Sequence, residues 1–204
     1  MSLRIITMKT KLLAAGFAAS VLSACSSSAG PFDGKSQEEL AAFILSGLEV
    51  GFERTDQKGF GLKVISSSTK PLVLDVVASS GQQSRTMFQV SVTHDGGCSF
   101  TYQVKDFTPQ QDLGSIGSYT LKADLSGVSH ATQTGDNKPT TFEGAKFQCV
   151  VGEKYYCQYR QPELDKGEWP RIGPLDDSRK TKGDAAENRL NDAIHYMKAN
   201  FCKK

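Results

Sequence analysis

The sequence contains few of the residues from which catalytic and metal sites are commonly built. Only three of its 204 residues are histidine, and His94, His130 and His195 are too far apart to show the short ligand spacing of a metal-binding motif. The Gly-x-Ser-x-Gly segment that marks many serine hydrolases is absent from the sequence. The sequence therefore predicts no catalytic residue, no metal site and no cofactor.

A membrane-spanning apolar run and an excess of basic charge are also lacking. The uncharged, largely apolar segment at residues 12–24 is shorter than the roughly 20 residues that cross a bilayer. Three of the 24 Lys and Arg residues lie in residues 1–24, where no acid occurs, so the remaining chain, with 22 acids, has a net charge of −1. Without a basic stripe, nucleic acid is not a predicted partner.

The amino-terminal segment has the features of a secretory signal peptide. Lys9 and Lys11 provide a positive start, the apolar segment follows, and Leu22-Ser23-Ala24-Cys25 ends it. This end resembles the lipobox of bacterial lipoproteins, in which small residues precede a cysteine that is acylated on its sulfur. The resemblance covers only the leading segment of the chain. It implies that residues 1–24 are removed and that Cys25 becomes a lipid anchor.

The residue after the anchor implies a location. In the lipoproteins of enteric bacteria an aspartate at this position retains the protein in the inner membrane, whereas Ser26 stands here. The resemblance therefore implies a palmitate-bearing protein held by its lipid in the bacterial outer membrane, facing either the periplasm or the cell surface. Residues 25–35 are rich in serine and glycine, which predicts a flexible tether, and residues 36–204 are predicted to form a single domain.

The predicted domain has an α+β fold with a helix at each end. Ser36 and Glu39 form a capping box at the start of the first helix, and Asp184 and Glu187 do so for the last one. Between them, about seven antiparallel strands are predicted to form a curved sheet or an open barrel, on which the C-terminal helix packs.

The strands are predicted from alternating apolar residues and from the turn residues between them. Asp95-Gly96-Gly97 marks one hairpin turn, and Gly152-Glu153 marks another. Residues 161–183, which are rich in proline, glycine and charge, predict a long loop. The strand segments are residues 60–65, 72–77, 88–92, 100–104, 119–125, 142–151 and 154–160.

The four cysteines after Cys25 form an even set, which in an exported protein predicts disulfides: Cys98, Cys149, Cys157 and Cys202. Zinc is disfavoured because the eight-residue spacing from Cys149 to Cys157 has no histidine near it. A hairpin centred on Glu153 would place Cys149 opposite Cys157 and leave Cys98 to pair with Cys202. A turn centred half a residue away favours Cys98 with Cys149 and Cys157 with Cys202, so both pairings stay open.

Aromatic residues near the end of the sequence provide the predicted binding surface. Tyr156 lies on the last predicted strand, on the face opposite to the cysteines, and Trp169 and Arg171 lie in the long loop. Loops on a rigid scaffold commonly carry binding residues, so these three residues are the candidate contact surface. Packing of Tyr156 and Trp169 in the core is the alternative interpretation of the same pattern.

Two functions are compatible with these features. The favoured one is a non-enzymatic cell-envelope lipoprotein, a binding or assembly module for another envelope protein or polymer. The alternative is a periplasmic hydrolase that acts on the cell wall or another exported substrate, with His94 as a base and Asp95 as its orienting acid. A hairpin turn is the alternative interpretation of the same residues, because backbone geometry alone explains the Asp-Gly-Gly segment that follows His94.

Overall fold

The computed structural model describes residues 30–107, 117–133, 139–152, 156–170 and 184–202. Pro31–Lys204 forms one compact unit. The predicted signal peptide of residues 1–24 and the predicted anchor Cys25 lie outside the described residues. Within the described ranges, no helix is both long enough and apolar enough to cross a membrane.

The first helix begins where the sequence predicts. α1 spans Gln37–Ser46, and the Oγ of Ser36 accepts a hydrogen bond from the N–H of Glu39 at 3.1 Å. In return, the Glu39 carboxylate accepts one from the N–H of Ser36 at 2.8 Å, which completes the capping box. Gly47 ends the helix with a φ of 71°, a left-handed conformation that glycine adopts without steric cost.

Ten strands and two more helices follow α1 in the described part of the chain. The predicted hairpin with Asp95-Gly96-Gly97 is confirmed, and its two strands are longer than predicted. The elements are β1 (Glu53–Thr55), β2 (Phe60–Thr69), β3 (Leu72–Ser80), β4 (Gln83–Gly96), β5 (Ser99–Asp106), β6 (Tyr119–Asp124), β7 (His130–Gln133), β8 (Thr140–Glu143), β9 (Lys146–Gly152), α2 (Tyr156–Leu164), β10 (Glu168–Trp169) and α3 (Asp184–Asn200).

Seven of these strands form one antiparallel sheet, in the order β1-β2-β3-β4-β5-β6-β9. The sheet is curved but not closed, so that β1 and β9 are its two edge strands. A second antiparallel sheet has the order β10-β8-β7. The predicted α+β fold, with an N-terminal helix, a curved antiparallel sheet and a C-terminal helix, is confirmed.

One face of the large sheet is buried and the other is not. Alternate residues of β2 to β6 point into a single core, which they share with α1, α3, β10 and the smaller sheet. Their neighbours along each strand are half-buried or exposed. The inward side chains are Leu62, Val64, Leu72, Leu74, Val76, Ala78, Phe88, Val90, Val92, Phe100, Tyr102, Val104, Tyr119, Leu121 and Ala123.

α3 packs against the end of α1 through an apolar stripe and through one ion pair. Leu190, Ile194 and Met197 are buried in the shared core. Nη2 of Arg189 lies 2.7 Å from both carboxylate oxygens of Glu49, in the segment that follows α1. These contacts join the two ends of the described domain, which the sequence pattern does not predict.

The predicted strand at residues 154–160 and the start of the predicted loop at 161 are wrong, because Tyr156–Leu164 is the helix α2. Aromatic residues favour strands, and Pro162 argues against a helix, so the local signals indicate another structure. The spacing of three residues fits a helix, since side chains four residues apart lie on the same helix face. These residues are Tyr156, Arg160 and Leu164. Within the predicted loop, Glu168–Trp169 pairs with β8, and residues 171–183 lie outside the described ranges.

The predicted tether also ends earlier than expected. Phe32 is 2% exposed, and its ring centroid lies 5.9 Å from those of Phe43 and Tyr196. Nζ of Lys35 lies 3.3 Å from the Glu49 carboxylate. The domain therefore begins at Pro31 rather than at residue 36, because one apolar side chain in the serine- and glycine-rich segment belongs to the core.

The four cysteines form two disulfides, Cys98–Cys202 and Cys149–Cys157, with Cα atoms 5.0 and 5.3 Å apart. This is one of the two pairings that the sequence leaves open. The geometric reason given for it is wrong, because Cys149 lies on β9 and Cys157 on α2 rather than on two strands of a hairpin. The first bridge attaches the residues after α3 to the β4–β5 turn, and the second attaches α2 to the edge of the large sheet.

Candidate binding surface

The sequence predicts that Trp169 lies on a contact surface, but the structure places it in the core. It is 1% exposed, and its ring meets that of Tyr102 edge-on with centroids 5.3 Å apart. Phe147 lies 4.8 Å from it in a similar arrangement. Because β10 packs on the inner face of the large sheet, the indole is one of the largest buried side chains and is not available to a partner.

Tyr156 is half-buried and packs against the same core. Its ring stacks on that of Tyr119 with centroids 4.3 Å apart and an interplanar angle of 7°. Burial raises the pKa of Tyr156 to about 12, and burial raises the pKa of Tyr119 well above its usual value. Tyr156 and Trp169 therefore pack inside the domain. Arg171, the third predicted contact residue, lies outside the described ranges.

His94 and Asp95 are held by contacts within their own hairpin. A ring nitrogen of His94 lies 3.0 Å from the carbonyl oxygen of Gly97, and the Asp95 carboxylate accepts a hydrogen bond from Oγ1 of Thr101 at 2.7 Å. His94 also packs on Phe100 at 5.5 Å. These contacts are those of a turn, and the described residues contain no group of three or more His, Cys, Asp or Glu side chains that could hold a metal ion.

The outer face of the large sheet is the extended surface that the described elements leave uncovered. The strand registers align its side chains into three rows across the strands, about 4.8 Å apart from strand to strand. The first row contains Ile65, Asp75, Gln89 and Lys105. The second row contains Val73, Ser91, Gln103, Thr120 and Val151. The third row contains Thr93, Thr101, Lys122 and Gln148.

A groove of about 610 Å³ lies on this face, over the middle of the second row. Its lining combines hydroxyl and amide side chains with one lysine, two valines, a tyrosine and a glycine: Gln89, Ser91, Gln103, Val104, Lys105, Ser118, Tyr119, Thr120, Val151 and Gly152. At its rim, Nε2 of Gln89 donates to the Asp75 carboxylate at 2.9 Å, and Ser118 Oγ accepts from the N–H of Asp106 at 3.2 Å. These contacts fix both sides of the groove.

The apolar end of the second row is unusual for a wet sheet face. The register shifts by one residue between Thr120 and Leu121, which forms a bulge in β9. At this bulge two consecutive valines are exposed, Val150 at 47% and Val151 at 62%. The groove therefore offers hydroxyl and amide groups and one lysine beside an apolar rim, a mixture that is common in protein contact surfaces.

The sequence contains the signal for this face but not for the groove. The alternation of Thr120, Lys122 and Asp124 with apolar residues predicts one wet face for that strand, which is confirmed. The juxtaposition of Ser91, Gln103 and Thr120 depends on the registers of three strands, and a sequence pattern does not fix registers between strands.

Comparison of the chain with protein-family models, with curated proteins and with solved structures finds no match. The function is therefore inferred from the surface itself.

Proposed function

We propose that this protein is a non-enzymatic lipoprotein of the bacterial cell envelope, and that it binds another envelope protein through the groove on the outer face of its large sheet. Cys25 carries the lipid and holds the domain at the outer membrane. The lipobox-like segment Leu22-Ser23-Ala24-Cys25 supports the anchor. The uncovered sheet face supports the binding role, because α1, α3 and the second sheet pack into the core on the opposite side and α2 is attached at the β9 edge.

The observation that carries the proposal is the groove over Ser91, Gln103 and Thr120. Neutral hydroxyl and amide groups form directional hydrogen bonds without the large desolvation cost of charges. The exposed Val150 and Val151 beside them favour a protein partner, since they offer apolar area that a second surface can bury. A polymer of the envelope is the other outcome that the experiment distinguishes.

A non-catalytic role is supported by the contacts of the residues that are chemically capable of catalysis. His94 and Asp95 make their contacts with Gly97 and Thr101 inside one hairpin. Tyr156 and Tyr119 stack on each other, and the buried position of this pair keeps both phenols neutral. In a catalytic site these side chains would have to face a substrate. Here their contacts are made with other residues of the domain.

The experiment is site-specific photo-cross-linking in living cells. A photoreactive amino acid replaces Gln103 in the groove, and in a matched control it replaces Gln158, an exposed glutamine on α2. We expect Gln103 to give one discrete adduct of higher mass and Gln158 to give none. Protease digestion of the adduct identifies a protein partner, whereas sensitivity to a muramidase identifies a wall polymer.

Three results would count against the proposal. Equal adducts from Gln103 and Gln158 would mean that cross-linking is not selective for the groove. No adduct from the groove, together with correct membrane localisation, would mean that this face has no partner. A muramidase-sensitive adduct would retain the binding role of the groove and overturn the choice of a protein partner.

A further inference from the structure

A second pocket lies at one end of the large sheet, next to the turn between β3 and β4. Its volume is about 670 Å³, which is within the range of pockets that hold small molecules. Its nine lining residues all belong to β2, β3, β4 and that turn. They are Phe60, Ala78, Ser79, Ser80, Gln82, Gln83, Ser84, Arg85 and Met87.

The strand registers place an aromatic ring and a guanidinium on the inner side of the sheet at this end. Phe60 lies two residues before the buried Leu62 on β2, and alternate side chains of a strand share a face. Arg85 of β4 pairs with Ala78, which pairs in turn with Leu62, so these residues form one row. With about 4.8 Å between strands and about 3.4 Å per residue, the Cα atoms of Phe60 and Arg85 lie roughly 12 Å apart. A ligand of one or two rings can therefore touch both side chains.

The floor of the pocket is apolar and continues from the core. Ala78 is 6% exposed, and Met87, the extra residue at the bulge in β4, is half-buried and packs against the core. Phe60 is 39% exposed, so much of its ring is uncovered. The ring therefore provides a flat apolar surface at the side of the pocket.

The rim of the pocket is polar and has one positive charge. Six of the nine lining residues are polar, and none of the nine is acidic. The serines and glutamines provide neutral donors and acceptors, and Arg85 provides the charge. A guanidinium has five N–H donors in one plane, so it can bind a carboxylate through two of them in addition to its contact within the domain. Charge complementarity therefore favours a ligand with a carboxylate.

The polar rim and the aromatic ring together discriminate between classes of carboxylate. An alkyl chain that displaced water from this pocket would leave hydroxyl and amide groups without hydrogen-bond partners, which costs free energy. A sugar ring instead has an apolar face of C–H groups and a rim of hydroxyls. The negative face of an aromatic ring attracts such C–H groups, and the hydroxyls suit the serines and glutamines.

We propose that this pocket binds a saccharide that carries a carboxylate, with its C–H face on Phe60 and its carboxylate on Arg85. The pocket is a second binding site, separate from the groove. The two have no lining residue in common, and the groove lies on the outer face of the sheet. The site therefore does not depend on the proposed function of the groove.

The experiment is saturation-transfer NMR with the full chain, purified in detergent, and with a blank of detergent micelles alone. The probes are glucuronic acid, glucose, which has a hydroxymethyl group in place of the carboxylate, and octanoate, which joins a carboxylate to an alkyl chain. We expect glucuronic acid to bind about tenfold more tightly than glucose, because it adds a charge-assisted contact. We expect octanoate to give no transfer above the blank.

Two variants test the two contacts separately. Phe60→Ala removes the aromatic surface and should weaken the binding of both sugars by about tenfold. Arg85→Gln removes the charge and should abolish the preference for glucuronic acid while the binding of glucose stays unchanged. Phe107→Ala is the matched control, because Phe107 is 44% exposed, does not line the pocket and should be replaceable without effect. Native emission of Trp169 identifies the folded variants.

Several results would overturn the proposal. Glucuronic acid that gives no transfer would mean that the pocket is not a saccharide site, and equal binding of glucose would mean that the carboxylate is not recognised. A preference that survives in Arg85→Gln, or a loss of binding in Phe107→Ala equal to that in Phe60→Ala, would place the sugar elsewhere. Octanoate that displaces glucuronic acid would mean that the pocket takes alkyl carboxylates instead.

Discussion

Among single residues, Trp169 shows most clearly how burial decides which side chains are available for function. It lies against Tyr102 and Phe147 and is 1% exposed. Its sequence context of prolines and charge is typical of a surface loop, yet two residues of that segment join β8 as β10. An aromatic ring of this size buries enough apolar area to compete with any gain from exposure in a flexible loop.

The first prediction uses the fact that Trp169 is the only tryptophan of the chain. We expect its native fluorescence to be blue-shifted and protected from iodide, and to become red-shifted and quenchable in urea. Trp169→Ala should lower the free energy of unfolding by about 3 to 5 kcal/mol, because it leaves a large cavity. Native emission that iodide quenches as strongly as in urea would contradict the core position.

The stacked tyrosines give a second prediction at this scale. In the unfolded chain the pKa of Tyr156 is near 10, and in the folded protein burial raises it to about 12. The folded state thus holds the proton more tightly, so the contribution to stability is full below pH 10 and is lost as pH rises from 10 to 12. A shift of this size corresponds to about 2 to 3 kcal/mol.

This loss can be measured by urea denaturation at a series of alkaline pH values. Tyr156→Phe should show a clearly smaller loss of stability between pH 10 and 12 than the parent. Tyr159→Phe on the same helix is the matched control, since Tyr159 is 73% exposed and should behave as the parent does. If both variants follow the parent curve, the stacked pair does not govern the alkaline transition.

At the scale of elements, the sequence predicts the helices and strands that depend on strong local signals. It does not predict the features that depend on tertiary contacts. The capping box of Ser36 and Glu39 determines where α1 begins, and alternation together with Asp95-Gly96-Gly97 determines the β4–β5 hairpin. Both signals act within a few residues, so the sequence alone predicts them. The outer face of the sheet is predictable for the same reason, while the groove on it requires the registers of neighbouring strands.

α2 shows why the rest was not predictable. Its tyrosines favour a strand and its proline opposes a helix, so local propensity indicates the wrong structure. The helix is held by contacts with distant residues: the bridge from Cys157 to Cys149 and the hydrogen bonds of Gln161 to β9. The cysteine pairing was among the alternatives open from sequence, but the partner elements were not.

The two disulfides should differ in their contribution to stability. Cys98→Ser with Cys202→Ser removes a constraint over 104 residues and should lower the free energy of unfolding by about 4 to 5 kcal/mol. Cys149→Ser with Cys157→Ser removes one over 8 residues and should cost about 2 to 3 kcal/mol. Urea denaturation at low protein concentration measures both, and a larger cost for the shorter loop would contradict this account.

At the scale of the whole molecule, the proposal combines a lipid anchor at Cys25 with a domain that has one uncovered sheet face. The compact unit begins at Pro31, six residues after Cys25, the residue that we propose carries the lipid. One side of the large sheet holds the core, and the groove occupies the other side. Because the outer-face side chains lie outside the core, we expect the fold to stay intact when they are replaced.

The proposed anchor can be tested by replacing Cys25, the residue that we propose is acylated. Cys25→Ser should abolish incorporation of an alkyne-labelled palmitate and move the protein from the membrane fraction to the soluble fraction. The four cysteines of the two disulfides provide the internal control, because their replacement in pairs should leave the label in place. A Cys25→Ser protein that still carries the label would mean that the lipid is attached elsewhere.

The most direct test of the binding role fills the groove with a larger side chain and measures the yield of the cross-linked adduct with the partner. Ser91→Arg places a long cation in the centre of the groove, and Ser84→Arg makes the same change on the same strand about 23 Å away. With the photoreactive residue at Gln103, the account predicts that Ser91→Arg lowers the adduct yield about tenfold, a loss of roughly 1.4 kcal/mol, and that Ser84→Arg leaves it unchanged. Equal yields from both folded variants would contradict the claim that this groove binds the envelope partner.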